Sequence, residues 1–139
     1  MRSRLRITRD GDAFLARLAP SQAEAAHRAL TVLLNSGTGP ATLAVRLGAS
    51  PEAVGTLVER LGGERECSIE LRLTVGELHT LHSALTAAAT LFLSDGRSSE
   101  EEFHRQTTFY RENFDALALG ITEAAAEAQA SPERQREST

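Results

Sequence analysis

The chain has 139 residues, enough for one domain with a single buried core. Its net charge of −4 argues against strong affinity of the whole surface for nucleic acid, and its 15 basic residues are all arginine. The single Cys67 excludes an internal disulfide and suits a reducing compartment.

In chain order, the first element is a strand over about residues 2–9. Its alternation sets Arg2, Arg4 and Arg6 against Ser3, Leu5 and Ile7. Asp10-Gly11 signals a two-residue hairpin, and a return strand over 12–18 places Phe14, Ala16 and Leu18 on one face. Pro20-Ser21 opens a helix to about Asn35, burying Ala23, Ala26, Leu30 and Leu33-Leu34. The run from Asn35 to Pro40 then breaks it.

Two short helices follow within residues 41–62. Leu43, Ala44 and Leu47 form the first apolar stripe, and Gly48 is a left-handed C-cap. Ser50-Pro51 supplies an N-cap with proline at the first helical position, and Val54, Leu57, Val58 and Leu61 form the second stripe. A third strand spans about 66–74 with Cys67, Ile69, Leu71 and Leu73 on one face, which places the Cys67 thiol inward and inert.

A helix over 75–93 carries the seam Leu78, Leu81, Leu85, Ala88 and Phe92. A last helix, capped by Ser98 or Ser99 with Glu101 and Glu102 in its first turn, carries Phe103, Tyr110, Phe114, Leu117 and Ile121. These two helices predict an antiparallel hairpin over 75–121, and the polar tail over 131–139 is expected to be disordered. Residues 12–31 also align without gaps onto 67–86, pairing Arg17, Leu18, His27, Ala29, Leu30 and Thr31 with Arg72, Leu73, His82, Ala84, Leu85 and Thr86. Duplication and convergence both account for this echo.

The expected fold is therefore α+β, a single domain over 1–130. It comprises a small antiparallel sheet with helices on one face, a helix-turn-helix-like insert over 38–62 and the C-terminal antiparallel helical hairpin. No secretory signal is expected, because no apolar region follows Met1-Arg2-Ser3-Arg4. The apolar run over 84–93 is about half of a membrane span, so the expectation is a cytoplasmic protein without membrane contact.

Residues 40–61 resemble the helix-turn-helix motif of bacterial DNA-binding regulators. The inward residues Leu43, Leu47, Ala49, Val54 and Leu57, the small Ala44 and the turn at Gly48 support the likeness. The resemblance implies that Ser50, Pro51, Glu52, Gly55, Thr56 and Glu59 face a major groove. Arg46, Ser50, Thr56 and Arg60 are then the DNA-contact candidates, although Glu52 and Glu59 oppose a polyanion and Gly55 offers no side chain.

Arg2, Arg4, Arg6 and Arg9 form a second basic candidate face, which also reads as a solvated edge strand. Four of the six aromatic residues cluster between Phe103 and Phe114. Phe109, off the hairpin seam, and its neighbour Tyr110 are candidates for partner contact.

Catalytic chemistry has no foothold. There is no glycine-rich phosphate loop, catalytic triad order or cysteine pair, and Glu100-Glu101-Glu102 suits a helix N-terminus. No cofactor is expected. His79 and His82, with Glu77 or His104, are a weak alternative as metal ligands, and packing roles explain them as well. The leading expectation is a non-catalytic regulatory protein, homodimeric through the C-terminal hairpin, whose insert contacts DNA. The rival is an acidic protein-interaction module (an adaptor, anti-factor or immunity-type inhibitor) that uses the motif as scaffold.

Overall fold

The structure, a computed structural model, describes residues 5–35, 39–62, 67–94 and 111–138. Two strands, β1 (Arg6–Asp10) and β2 (Ala13–Leu18), are followed by α1 (Pro20–Leu34), α2 (Pro40–Leu47) and α3 (Pro51–Leu61). Then come β3 (Ile69–Leu73), α4 (Val75–Ser94) and α5 (Arg111–Ser138). The strands form one antiparallel sheet in the order β1-β2-β3, giving the expected α+β fold.

Register separates the sheet's two faces. The rungs Ile7–Ala16–Leu71 and Arg9–Phe14–Leu73 share the apolar face, with Leu18 opposite Ile69. Arg6–Arg17–Glu70 and Thr8–Leu15–Arg72 lie on the other. One residue, Ala19, links β2 to α1, and Thr74 alone links β3 to α4. With links so short, each helix turns back over the strand that feeds it, burying Ala16, Leu18, Leu30, Leu33, Leu73 and Leu85.

The hairpin turn lies one residue later than Asp10-Gly11. Asp10 pairs with Ala13, the loop is Gly11 and Asp12, and Gly11 takes the positive φ of +62°. Cys67 corrects the sequence reading: it is exposed, not buried. The β2–β3 ladder ends at the Leu18–Ile69 rung, so Cys67 lies beyond the last residue that a partner strand could turn inward.

The 55-residue echo is realised in the fold. It superposes the starts of α1 and α4, and matched positions are buried alike: Ala23 with Leu78, Ala26 with Leu81, Leu30 with Leu85. The helix starts match too. The Ala19 N–H donates to Gln22 Oε1 at 2.7 Å, and the Thr74 N–H donates to Glu77 Oε1 at 2.9 Å. Further along, Thr31 and Thr86 hydroxyls donate to the His27 and His82 carbonyls.

Ala16 pairs with its own counterpart Leu71, while Phe14 pairs with Leu73 and Leu18 with Ile69. The two strand-helix units are thus related by a local two-fold axis through the Ala16–Leu71 rung, and α1 packs on α4 beneath it.

α5 packs on α4 and beside β1, burying Phe114, Leu117 and Ile121 as the seam predicts. Its backbone is helical to Ser138, through the segment expected to be disordered. Glu133, Arg134, Gln135 and Arg136 are good helix formers that extend an alanine-rich run, at the cost of the hydrogen bond that Pro132 lacks. The hairpin seam residues Phe92 and Phe103 fall outside the described side chains.

Thr80 is the counterpart of Ala25 and is 1% exposed. Its hydroxyl donates to the Leu47 carbonyl at the end of α2, 3.0 Å away, and has the Gly76 carbonyl at the same distance. Thr80→Val should lower stability by about 1–2 kcal/mol in urea denaturation, because a buried carbonyl loses its partner. Thr80→Ser should keep most of it.

Candidate functional site

The insert lies between the two strand-helix units of the layer. Pro40 stands at the first position of α2, after Gly39. Gly48 ends the helix in the left-handed conformation (φ +67°), its N–H donating to the Ala44 carbonyl at 2.7 Å. A Cβ there would lie 3.2 Å from the His79 ring, so both conformation and space favour glycine. Ser50 Oγ accepts the Ala53 N–H at 3.2 Å and Pro51 starts α3, as the sequence predicts. Leu43, Leu47, Val54, Leu57 and Leu61 are buried, with Ala49 packed beside them. α2 packs on α4 and α3 on α1, so the insert straddles both helices of the layer.

The outward surface has two parts. On α3, Glu52, Ala53, Thr56 and Glu59 are exposed. On α2, Ala41, Thr42, Val45 and Arg46 line a shallow, open depression, and Val45 is 86% exposed. Arg46 forms no ion pair among the described residues. The other contact candidates have local duties: Ser50 caps α3, and Thr56 Oγ1 donates to the Glu52 carbonyl at 3.1 Å.

Arg60 is committed within the fold. One guanidinium nitrogen bonds Glu77 Oε2 at 2.9 Å, and another donates to the Arg72 carbonyl of β3 at 2.6 Å. Glu77 is fully engaged as well. Its Oε1 accepts the Thr74 N–H and its own N–H donates to Thr74 Oγ1 at 3.1 Å, a complete capping box at the positive end of α4. A single carboxylate therefore starts α4 and tethers α3 to it.

The strand arginines do not form one face. Arg6 lies on the outer face beside Arg17, whereas Arg9 shares the apolar face with Phe14 and donates to the Gly11 carbonyl. Parity explains this, since position 9 is odd and position 6 even. Arg2 and Arg4 lie outside the described residues, as do Phe109, Tyr110 and His104. Arg72 reaches across the outer face to Asp10 at 3.0 Å.

His79 is exposed, its Nε2 3.3 Å from Ser83 Oγ, and His82 is half-buried. Glu77, which would join them in a metal set, is taken by Thr74 and Arg60. Among the described residues no three histidine, cysteine or carboxylate side chains gather to hold a metal. No helix among those residues is long and apolar enough to cross a membrane.

No protein-family model, curated protein or solved structure matches this chain.

Two features of this region escaped the sequence reading. The Thr74-x-x-Glu77 capping box is a legible pattern at the start of a helix. The reach of Arg60 to Glu77 crosses 17 positions and leaves no local pattern. A double-mutant cycle with Arg60→Met and Glu77→Gln should give a coupling of about 0.5–1 kcal/mol, modest because both side chains are about a third exposed.

Proposed function

We propose that this chain is a non-catalytic regulatory protein that acts by contact, with the α2–α3 insert presenting the surface that meets another protein. The observation that carries this reading is the engagement of Arg60. A helix that reads DNA needs cations free to meet phosphate. Here the arginine of α3 is spent on Glu77 and the Arg72 carbonyl, and its exposed neighbours are Glu52 and Glu59. The same insert exposes Val45 on α2, and an insert that presents both apolar and acidic side chains suits a protein partner.

The DNA-binding reading keeps one specific support in Arg46, exposed near the end of α2 and without an ion-pair partner among the described residues.

Two assays separate the readings. In a mobility shift with genomic fragments at low salt, the protein-contact reading predicts no retarded complex. A complex that weakens steeply with salt and with Arg46→Ala would establish the DNA reading instead. In the source cells, a photo-crosslinker at Val45 should give one discrete protein adduct. Glu52→Arg with Glu59→Arg should abolish it while leaving the circular dichroism spectrum unchanged, and an adduct that survives the charge reversal would contradict the proposed surface.

A further inference from the structure

Among the described residues β3 ends the sheet, and the geometry of the hairpin says what its outer edge offers. The two-residue loop makes Asp10–Ala13 the closing hydrogen-bonded pair. Backbone groups alternate sides along an antiparallel strand. Ala13, Leu15 and Arg17 therefore bond toward β1, and Phe14, Ala16 and Leu18 toward β3. The same alternation in β3 turns Ile69, Leu71 and Leu73 toward β2, and the N–H and C=O of Glu70 and Arg72 toward the outer edge. The Arg60 bond to the Arg72 carbonyl agrees with this direction.

We propose that two copies of this chain join along that edge, β3 against β3 in antiparallel register, about a two-fold axis at Leu71. This goes beyond the proposed function and does not depend on it. The sequence Ile69-Glu70-Leu71-Arg72-Leu73 is self-complementary in that register. Glu70 faces Arg72 of the second copy, twice by symmetry, Ile69 faces Leu73, and Leu71 faces its own counterpart. Each Glu70–Arg72 rung exchanges a pair of backbone hydrogen bonds.

The apolar side chains favour the same edge. Ile69 and Leu71 are half-buried, whereas Ile7 at the opposite edge, beside which α5 packs, is 7% exposed. The β1 edge matches less well: pairing it about its centre, Thr8, sets Arg6 against Asp10 but also Ile7 against Arg9, so its second pair of rungs is not apolar as Ile69–Leu73 is. Two contacts within each chain compete for the seam: the Arg60 bond to the Arg72 carbonyl, and the exposed ion pair of Arg72 with Asp10. Pairing exchanges these for backbone bonds and for Glu70–Arg72 ion pairs between copies. A seam of five residues is short, which favours a weak, concentration-dependent dimer.

Sedimentation equilibrium of the full chain across the micromolar range tests the proposal. The wild type should show a monomer–dimer equilibrium. Glu70→Arg, which turns both ion-paired rungs repulsive, should raise its Kd about tenfold or more. Adding Arg72→Glu to that variant should return the Kd to within about threefold of the wild type. The double variant keeps the like-charge contact with Arg17 that the single one introduces and loses the Arg72–Asp10 ion pair, so its recovery has to come against two unfavourable changes within the chain. A monomer throughout, a dimer indifferent to Glu70→Arg, or a double variant that fails to recover would each overturn the proposal.

Discussion

The apolar face shared by β2 and β3 needs a cover, and the links at Ala19 and Thr74 are too short to supply it from anywhere but the helices that follow. That constraint sets the rest of the structure. α1 and α4 lie side by side on one face and are related by the axis through Ala16 and Leu71. The other face carries mostly polar side chains, Arg6, Thr8, Arg17, Glu70 and Arg72, with Leu15 half-buried among them. α2 and α3 then find one layer helix each, and α5 takes the remaining space against α4 and β1.

The insert is seated on this layer by apolar burial and fixed by two polar contacts to backbone carbonyls. Thr80 reaches the Leu47 carbonyl that ends α2, and Arg60 of α3 reaches the Arg72 carbonyl that precedes α4. Both involve groups close to the start of α4, where Glu77 also completes the capping box. The start of α4 thus organises the region. The same contacts have a functional consequence, because they draw the arginine of α3 away from solvent-side chemistry and leave an acidic outward face.

Much of this was legible in the chain because the signals were local. Gly48 and Ser50-Pro51 marked the turn through conformation and capping, and the echo between residues 12–31 and 67–86 foreshadowed the paired units. Features that depend on distant partners were not legible. Cys67 followed the alternation of its strand, but the ladder stops at Ile69 because β2 stops at Leu18. Arg60 resembled a phosphate contact until the fold brought Glu77 beside it. Thr80 read as one more helix residue, although it is the one buried polar side chain among the described residues. The open face of the insert, with Val45 and Arg46, follows from which sides α1 and α4 cover.

The central claim is that the insert is seated as part of the core, held at Leu47 and Arg72, and presents a fixed surface. Native-state hydrogen exchange of Leu57 and Leu61 amides in α3, compared with Ala29 in α1 and Leu85 in α4, tests it most directly. The account predicts that all four exchange with the free energy of global unfolding. Exchange of the α3 amides through a separate opening of much lower free energy would contradict it, because the insert would then be a loosely attached module.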